Sequence, residues 1–192
     1  MNAPLTHAAD GLPRRAFTNA EIVRMIEAGV IDPDESFELI RGEIVPMSPE
    51  YDPHAYARMA LVRRLFSHVS PDMFVASEGS LFLADDTEFK PDVHVFDGAL
   101  LSQDVRGPDV LLAAEIASTS RSRDLGLKAP LYAEHGVRDL WVFDLDAGVT
   151  HVLREPGPSG YQSVAQLDAT TRVEALLLPG FAVTLAELRR PS

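Results

Sequence analysis

A mixed α+β fold, with a mixed β-sheet flanked by helices and preceded by a helix and a β-hairpin, is what this 192-residue sequence predicts. Residues 110–117 are apolar except for Glu115, and a run of that kind suits a central strand buried on both faces. Stretches with helical spacing of apolar residues lie before and after it, and short apolar or alternating runs bounded by turn residues fill much of the remainder. Elements in that order assemble most simply as a mixed sheet with helices packed on it.

The first helix begins at Thr18, because Thr18 and Glu21 make a capping-box pattern and Ile22, Met25 and Ile26 share one face; Gly29 is its stop. Residues 37–45 hold two β-type runs on either side of Arg41-Gly42, the pattern of a hairpin. A second helix fits residues 54–69, with Asp52 as its cap and Pro53 in its first turn. Met59, Val62, Phe66 and Val69 recur there at helical spacing beside Leu61 and Leu65, so this face is expected to pack on the sheet. Strands follow at 73–77, 80–83 and 92–96, the last alternating Val93 and Val95 against Asp92, His94 and Phe96. After the 110–117 strand a helix spans residues 127–135, with Pro130 in its first turn, Asp124 in the turn before it and Gly136 closing it. Residues 140–143 form another buried strand, paired with 149–153 across Asp146-Ala147-Gly148. The tail adds one or two strands and a short helix begun by Thr184 with Glu187. The segment 110–143 is expected to join parallel strands by a right-handed crossover. Residues 1–15, polar and broken by Pro4 and Pro13, read as a flexible N-terminal arm, and residues 16–192 as a single domain.

Composition narrows the chemistry. Lys plus Arg number 17 against 29 Asp plus Glu, a net charge of −12, whereas a protein that binds polyanions through bulk charge is basic. Any polyanion must therefore meet a local positive patch or a bound metal. The absence of cysteine removes disulfides, thiolate nucleophiles and cysteine-ligated metals, and fits a reducing cytoplasm. No apolar run approaches the roughly 20 residues of a membrane helix, and the first residues lack the apolar centre of a signal peptide. The expected location is cytoplasmic, with no membrane partner. No G-x-G-x-x-G, P-loop, nucleophile elbow or H-E-x-x-H pattern is present, so a nucleotide cofactor, an elbow serine and a paired-histidine metal site have no support.

Three residues stand out. Glu115 interrupts an apolar strand, where a carboxylate is costly unless paired or metal-bound; a strand-end acid reaching solvent is the plainer alternative. Asp92 opens a strand directly after Pro91 and can converge with Glu115 from a neighbouring strand; its plainer role is a turn cap. Two carboxylates at one point repel, and a hard divalent cation relieves that repulsion. Lys128 is spaced by four from both Asp124 and Tyr132, so the three can share one helical face; a surface pair with Asp124 is the alternative. Ser118, Ser120 and Ser122 read as capping and phosphate-contacting residues.

The segments Phe37-Glu38-Leu39-Ile40-Arg41-Gly42-Glu43-Ile44, Lys90-Pro91-Asp92-Val93, Ala114-Glu115-Ile116-Ala117-Ser118, Arg123-Asp124-Leu125-Gly126-Leu127-Lys128, Leu140-Trp141-Val142-Phe143-Asp144 and Leu178-Pro179-Gly180-Phe181 occur in this order. In order and spacing they resemble the Uma family of restriction-endonuclease-like proteins, within the PD-(D/E)XK nuclease superfamily. The resemblance implies a restriction-endonuclease-like core and a nuclease-like domain over residues 16–192. It implies that Asp92 fills the Asp of the Pro-Asp motif and Glu115 the acid of the second motif. The superfamily's strand lysine would fall at Ala117, and the family's helix lysine matches Lys128 instead. Glu38, Glu43, His54 and Glu78 match positions that are often polar near the site.

The expected activity is Mg²⁺-dependent (or Mn²⁺-dependent) endonucleolytic hydrolysis of DNA. Asp92 and Glu115 would hold the metal, with the Ile116 carbonyl as a further ligand, and Lys128 would orient water or stabilise phosphoryl charge. Tyr132 would support them, and a homodimer is a candidate assembly. A non-catalytic nuclease-fold module that binds protein or nucleic acid is the rival, and a hydrolase of a smaller phosphate ester a third reading. Two geometric expectations follow: the Asp92 and Glu115 carboxyls lie within about 6 Å of each other, and the Lys128 ammonium points toward them.

Overall fold

The computed structural model describes residues 5–7, 13–47, 51–118 and 120–190. Part of the expected N-terminal arm lies outside these residues; within it, β1 (Leu5–His7) and β2 (Pro13–Arg15) pair antiparallel. Helix α1 (Asn19–Glu27) starts as its capping box requires, with the Thr18 hydroxyl accepting from the Glu21 amide and the Glu21 carboxylate from the Thr18 amide. Strands β3 (Phe37–Ile40) and β4 (Glu43–Pro46) are joined by Arg41 and Gly42, with φ of 49° and 79°. Two successive positive φ values give the turn that matches strand twist. Gly42 is needed for space as well, since a Cβ there would come 2.4 Å from the Ala16 Cβ.

The chain continues through α2 (Asp52–Phe66), β5 (Met73–Ser77), β6 (Leu81–Ala84), β7 (Thr87–Phe89), β8 (Val93–Asp97) and β9 (Leu112–Ala117). A single turn α3 (Arg121–Arg123), a π-helical turn (Asp124–Lys128) and α4 (Ala129–Glu134) come next. Then follow β10 (Asp139–Asp144), β11 (Val149–Gly157), β12 (Gly160–Asp168), β13 (Val173–Glu174), β14 (Ala182–Val183) and α5 (Leu185–Leu188), the last capped by Thr184 and Glu187.

The main sheet has the order β12-β11-β10-β9-β8-β5, in which β9 and β10 are parallel and the other neighbours antiparallel. All six residues of β9 are buried, as a central strand covered on both sides must be. Leu112, Ala114 and Ile116 face α2, meeting a cluster that includes Ala57, Leu61 and Leu65. Ala113 and Ala117 face the other way, into a cluster with Leu131 and Tyr132 of α4 and Phe89 of β7. Strand alternation puts Glu115 on this second face.

Four local expectations are corrected. Met59 and Phe66 are 54% and 62% exposed. At 100° per residue they stand about 160° and 140° from Leu61, and the Ala57-Leu61-Leu65 row, which lets the helix approach closely, takes the sheet instead. Asp52 does not cap α2: Tyr51 occupies that position without a side-chain bond. Strand β6 does not join the main sheet; with β7 it extends the β3–β4 hairpin into a second sheet, ordered β4-β3-β7-β6. The helix expected at 127–135 starts earlier, and Asp124 opens its π-helical turn; Pro130 does lie in the first turn of α4.

His94 is buried beside Phe96, with ring centroids 5.5 Å apart, and its Nδ1 has no hydrogen-bond partner. Burial lowers its pKa from 6.5 to about 4. The unfolded chain takes up this proton below pH 6.5 and the folded chain does not, so stability is full above pH 6.5 and falls as pH drops toward 4. The loss is about 3 kcal/mol. In urea titrations at pH 7 and pH 4, His94→Phe should lose less stability than the parent by about this amount. An equal acid loss in both proteins would contradict the assignment.

Candidate active site

Asp92 and Glu115 come together through strand register. Val93 pairs with Ala114 across β8 and β9, which sets Asp92 opposite Glu115 one step on. Residues so opposed share a face, with Cβ atoms about 4.5–5.5 Å apart. The Asp92 Oδ2 accepts the Ile116 amide at 2.6 Å and lies 3.3 Å from His54 Nε2, in the first turn of α2. The chain's approach to Asp92 is pinned as well: Glu78, at φ 53°, donates its amide to the Pro91 and Asp92 carbonyls, each at 3.2 Å.

Lys128 is 2% exposed. Its ammonium lies 2.6 Å from Glu115 Oε1 and donates to Glu38 Oε1 at 2.8 Å. The Tyr132 hydroxyl donates to the same Glu115 oxygen at 2.6 Å. Glu38 arrives from β3 and also accepts the Lys90 amide at 3.0 Å, while its Oε2 is buried without a partner. Asp124, likewise buried, accepts from the Ser120 hydroxyl at 2.6 Å. One ammonium thus faces three buried carboxylates. Burial opposes the charge on Lys128, but Glu115, Glu38 and Asp124 together overrule it and hold its pKa above the ordinary lysine value. Burial pushes Glu115 up to about 8 against the pull of Lys128. Burial also raises Asp124, against Lys128 and the Ser120 bond.

The π-helical turn makes this contact geometry. It carries Asp124 and Lys128, with the Ala129 amide bonded to the Asp124 carbonyl. Such turns shift the phase of the side chains that follow, and they recur at functional sites.

These groups border a recess of about 90 Å³, lined by Asp92, Glu115, Ile116, Lys128, His54, Glu78, Ser118, Ser120, Lys90, Arg123, Asp124, Tyr51 and Met47. Both geometric expectations concern this place: the Lys128 ammonium reaches Glu115 and not bulk solvent, and Asp92 and Glu115 line the same recess. Of the secondary candidates, His54 and Glu78 line it and Glu38 stands behind Lys128. Glu43, paired with Ile40 in the hairpin, and Ser122 are not among the lining residues. Sequence reasoning missed Lys90 and Arg123 as lining residues. Neither has a periodicity signal, because Lys90 lies between strands and Arg123 just before the π-helical turn.

A family model named Uma2 and described as "Putative restriction endonuclease" matches residues 20–186. The chain belongs to the Uma2 family. Its fold is that of a solved relative, the crystal structure of a "putative nuclease belonging to DUF820" from Anabaena variabilis. That structure has 18% sequence identity and a TM-score of 0.72, over 90% of this chain and 97% of the other. No curated protein matches the chain. The Uma2 match covers all the segments that supply the recess, from Glu38 to Tyr132. Among the described residues no helix is long and apolar enough to cross a membrane.

The restriction-endonuclease character of the Uma2 family implies a divalent cation, and the donor set can be tested for one. Among the described residues no group of three or more His, Cys, Asp and Glu side chains could hold a metal ion. Two carboxylates suffice for Mg²⁺, which keeps several water ligands. Asp92 Oδ1 and Glu115 Oε2 accept no hydrogen bond from a described residue, so each acid has one oxygen to offer. The residues fit a hard cation.

Removing Lys128 strands three buried acids. Lys128→Met should cost about 3 kcal/mol in urea unfolding at pH 7. Glu38→Gln introduced with it should recover part of that loss, giving a non-additive double-mutant cycle. Strict additivity would mean that the two groups are not coupled.

Proposed function

We propose that this chain is a divalent-metal-dependent endonuclease that hydrolyses phosphodiester bonds in DNA. Asp92 and Glu115 hold Mg²⁺ or Mn²⁺, and Lys128 acts beside them. The supporting observation is one recess lined by two opposed carboxylates and by Lys90 and Lys128, the only two lysines in the sequence.

A cation bound there polarises a phosphate and helps ionise water. The remaining work belongs to the chain's own groups. Asp92 is steadied through the oxygen that accepts the Ile116 amide, and Glu115 through the oxygen shared by Lys128 and Tyr132. Lys128 is not the general base, because its acidic neighbours hold its proton. It has three N–H donors, two of them directed at Glu38 and Glu115, and the third is left for a phosphoryl oxygen. Arg123 supplies positive charge that does not depend on Lys128. Its Nε is buried without a hydrogen-bond partner, 4.0 Å from Asp124, and its planar fork suits two phosphate oxygens.

The net charge of −12 and the double ion pairing of Lys128 favour a second reading, a nuclease-fold module that binds without cutting. Purified protein incubated with single- and double-stranded DNA and with RNA, in Mg²⁺, Mn²⁺ or chelator, decides between them. DNA should be cut with metal and left intact with chelator, and Asp92→Ala and Glu115→Ala should abolish cutting. Lys128→Ala should leave calorimetric metal affinity within a few-fold while slowing single turnover by about 100-fold, and Arg123→Ala should slow it by about tenfold or more. Cleavage that survives chelator or Asp92→Ala would sink the metal mechanism. Binding without cleavage, unchanged in Asp92→Ala, would select the module.

A further inference from the structure

Many arginines of this acidic chain are spent on its own carboxylates. Arg15 pairs with Glu21, Arg41 with Glu134, Arg58 with Glu78, Arg121 with Asp144 and Arg154 with Asp139. Three others gather at one place. At the end of α2 away from His54, Arg63 and Arg64 meet Arg172, which comes from the approach to β13. The three surround a recess of about 480 Å³ that Ser67 and His68 also line. Arg63 makes no ion pair or side-chain hydrogen bond among the described residues. Arg172 donates to the Ala182 carbonyl at 3.0 Å. Arg64 lies 3.4 Å from Glu187, and its Nε is buried without a partner. Among the described residues Glu187 is the one carboxylate paired with these three guanidiniums.

Charge matching at a helix end accounts for Arg63 and Arg64 in the last turn of α2. It does not account for Arg172, brought in by a different element. Converging cations repel one another unless an anion lies between them. Guanidinium forks match the spacing of phosphate oxygens. Helix α2 also connects this recess to the other one: Arg63 lies nine residues beyond His54, which lines the candidate active site, and so about 14 Å further along the helix axis and on another side of the helix. The axial part of that separation alone is about four base steps along one strand of a duplex.

We propose that the Arg63–Arg64–Arg172 recess is a second anchoring site for a polynucleotide, holding a backbone phosphate several nucleotides from the one at Asp92 and Glu115. The choice of ligand rests on the nuclease reading above. In a chain of net charge −12 this anchor supplies the local positive patch that a polyanion requires.

The test is the salt dependence of binding to a fluorescent DNA oligonucleotide, followed by anisotropy with Ca²⁺ in place of Mg²⁺. The proteins are the parent chain, Arg63→Glu and Arg172→Gln, and cleavage of the same oligonucleotide in Mg²⁺ is measured separately. Among the described residues the Arg63 side chain has no partner to lose, and Gln at 172 keeps an amide donor for the Ala182 carbonyl. Both variants should bind more weakly, Arg63→Glu by about tenfold at low salt. The slope of log affinity against log salt should flatten by about one for each phosphate contact removed. Unchanged affinity and slope in both variants overturn the proposal, whether or not the parent cuts DNA. Weakened binding in both variants of a parent that does not cut supports the anchor and removes the nuclease reading instead. Saturable binding of inorganic phosphate that Arg63→Glu abolishes, with oligonucleotide binding untouched, assigns the recess to a small anion and overturns the polynucleotide proposal.

Discussion

The burial of Lys128 among Glu38, Glu115 and Asp124 is the constraint around which the rest of this structure is arranged. A lysine removed from water keeps its charge only where carboxylates surround it, and acids buried in turn need the lysine. Each comes from a different part of the chain: Glu38 from the second sheet, Glu115 from the central strand, and Asp124 and Lys128 from the π-helical turn. The cluster therefore ties the two sheets and the crossover segment to one point. Neither the β3–β4 hairpin nor α4 could shift against the main sheet without leaving a charge unpaired in a water-poor interior.

The cluster is also electrostatically lopsided. Three acids face one ammonium, the Glu38 Oε2 is left without a hydrogen-bond partner, and burial raises the proton affinity of Glu115 in spite of Lys128. A fold selected for stability alone would do better with apolar residues of similar volume. That this one keeps a charged interior beside a recess lined by Asp92 and Arg123 is the physical reason for regarding the place as a site and not as core. The aromatic walls sharpen the same effect: Phe89 and Tyr132 lie 5.1 and 5.9 Å from the ammonium, offering it ring faces where water would otherwise be.

The proposed activity requires an acidic protein to concentrate its available cations where the phosphate would lie. Its only two lysines line the recess. Several of its arginines are held in internal ion pairs, Arg123 lines the same recess, and Arg63, Arg64 and Arg172 gather at the end of α2. Helix α2 is the common support. Its inner row packs on the sheet, its first turn presents His54 to Asp92, and its last turn presents Arg63 and Arg64 to the second recess.

Residue order alone was sufficient for whatever depends on local rules. Thr18 with Glu21 and Thr184 with Glu187 cap their helices because a side chain three positions away is always within reach. Arg41-Gly42 turns the hairpin, the apolar run ending in Ala117 becomes the central strand, and Asp92 and Glu115 stand out as acids on strand ends. The face α2 buries was not legible, since two apolar rows compete on it and only the contour of the sheet chooses between them. The separation of β6 and β7 into a second sheet, the π-helical turn that redirects Lys128, and the convergence of Glu38 on it were equally hidden. Each depends on partners far away in the chain, and a buried charge is tolerable only once its counter-charge has been brought in by the tertiary fold.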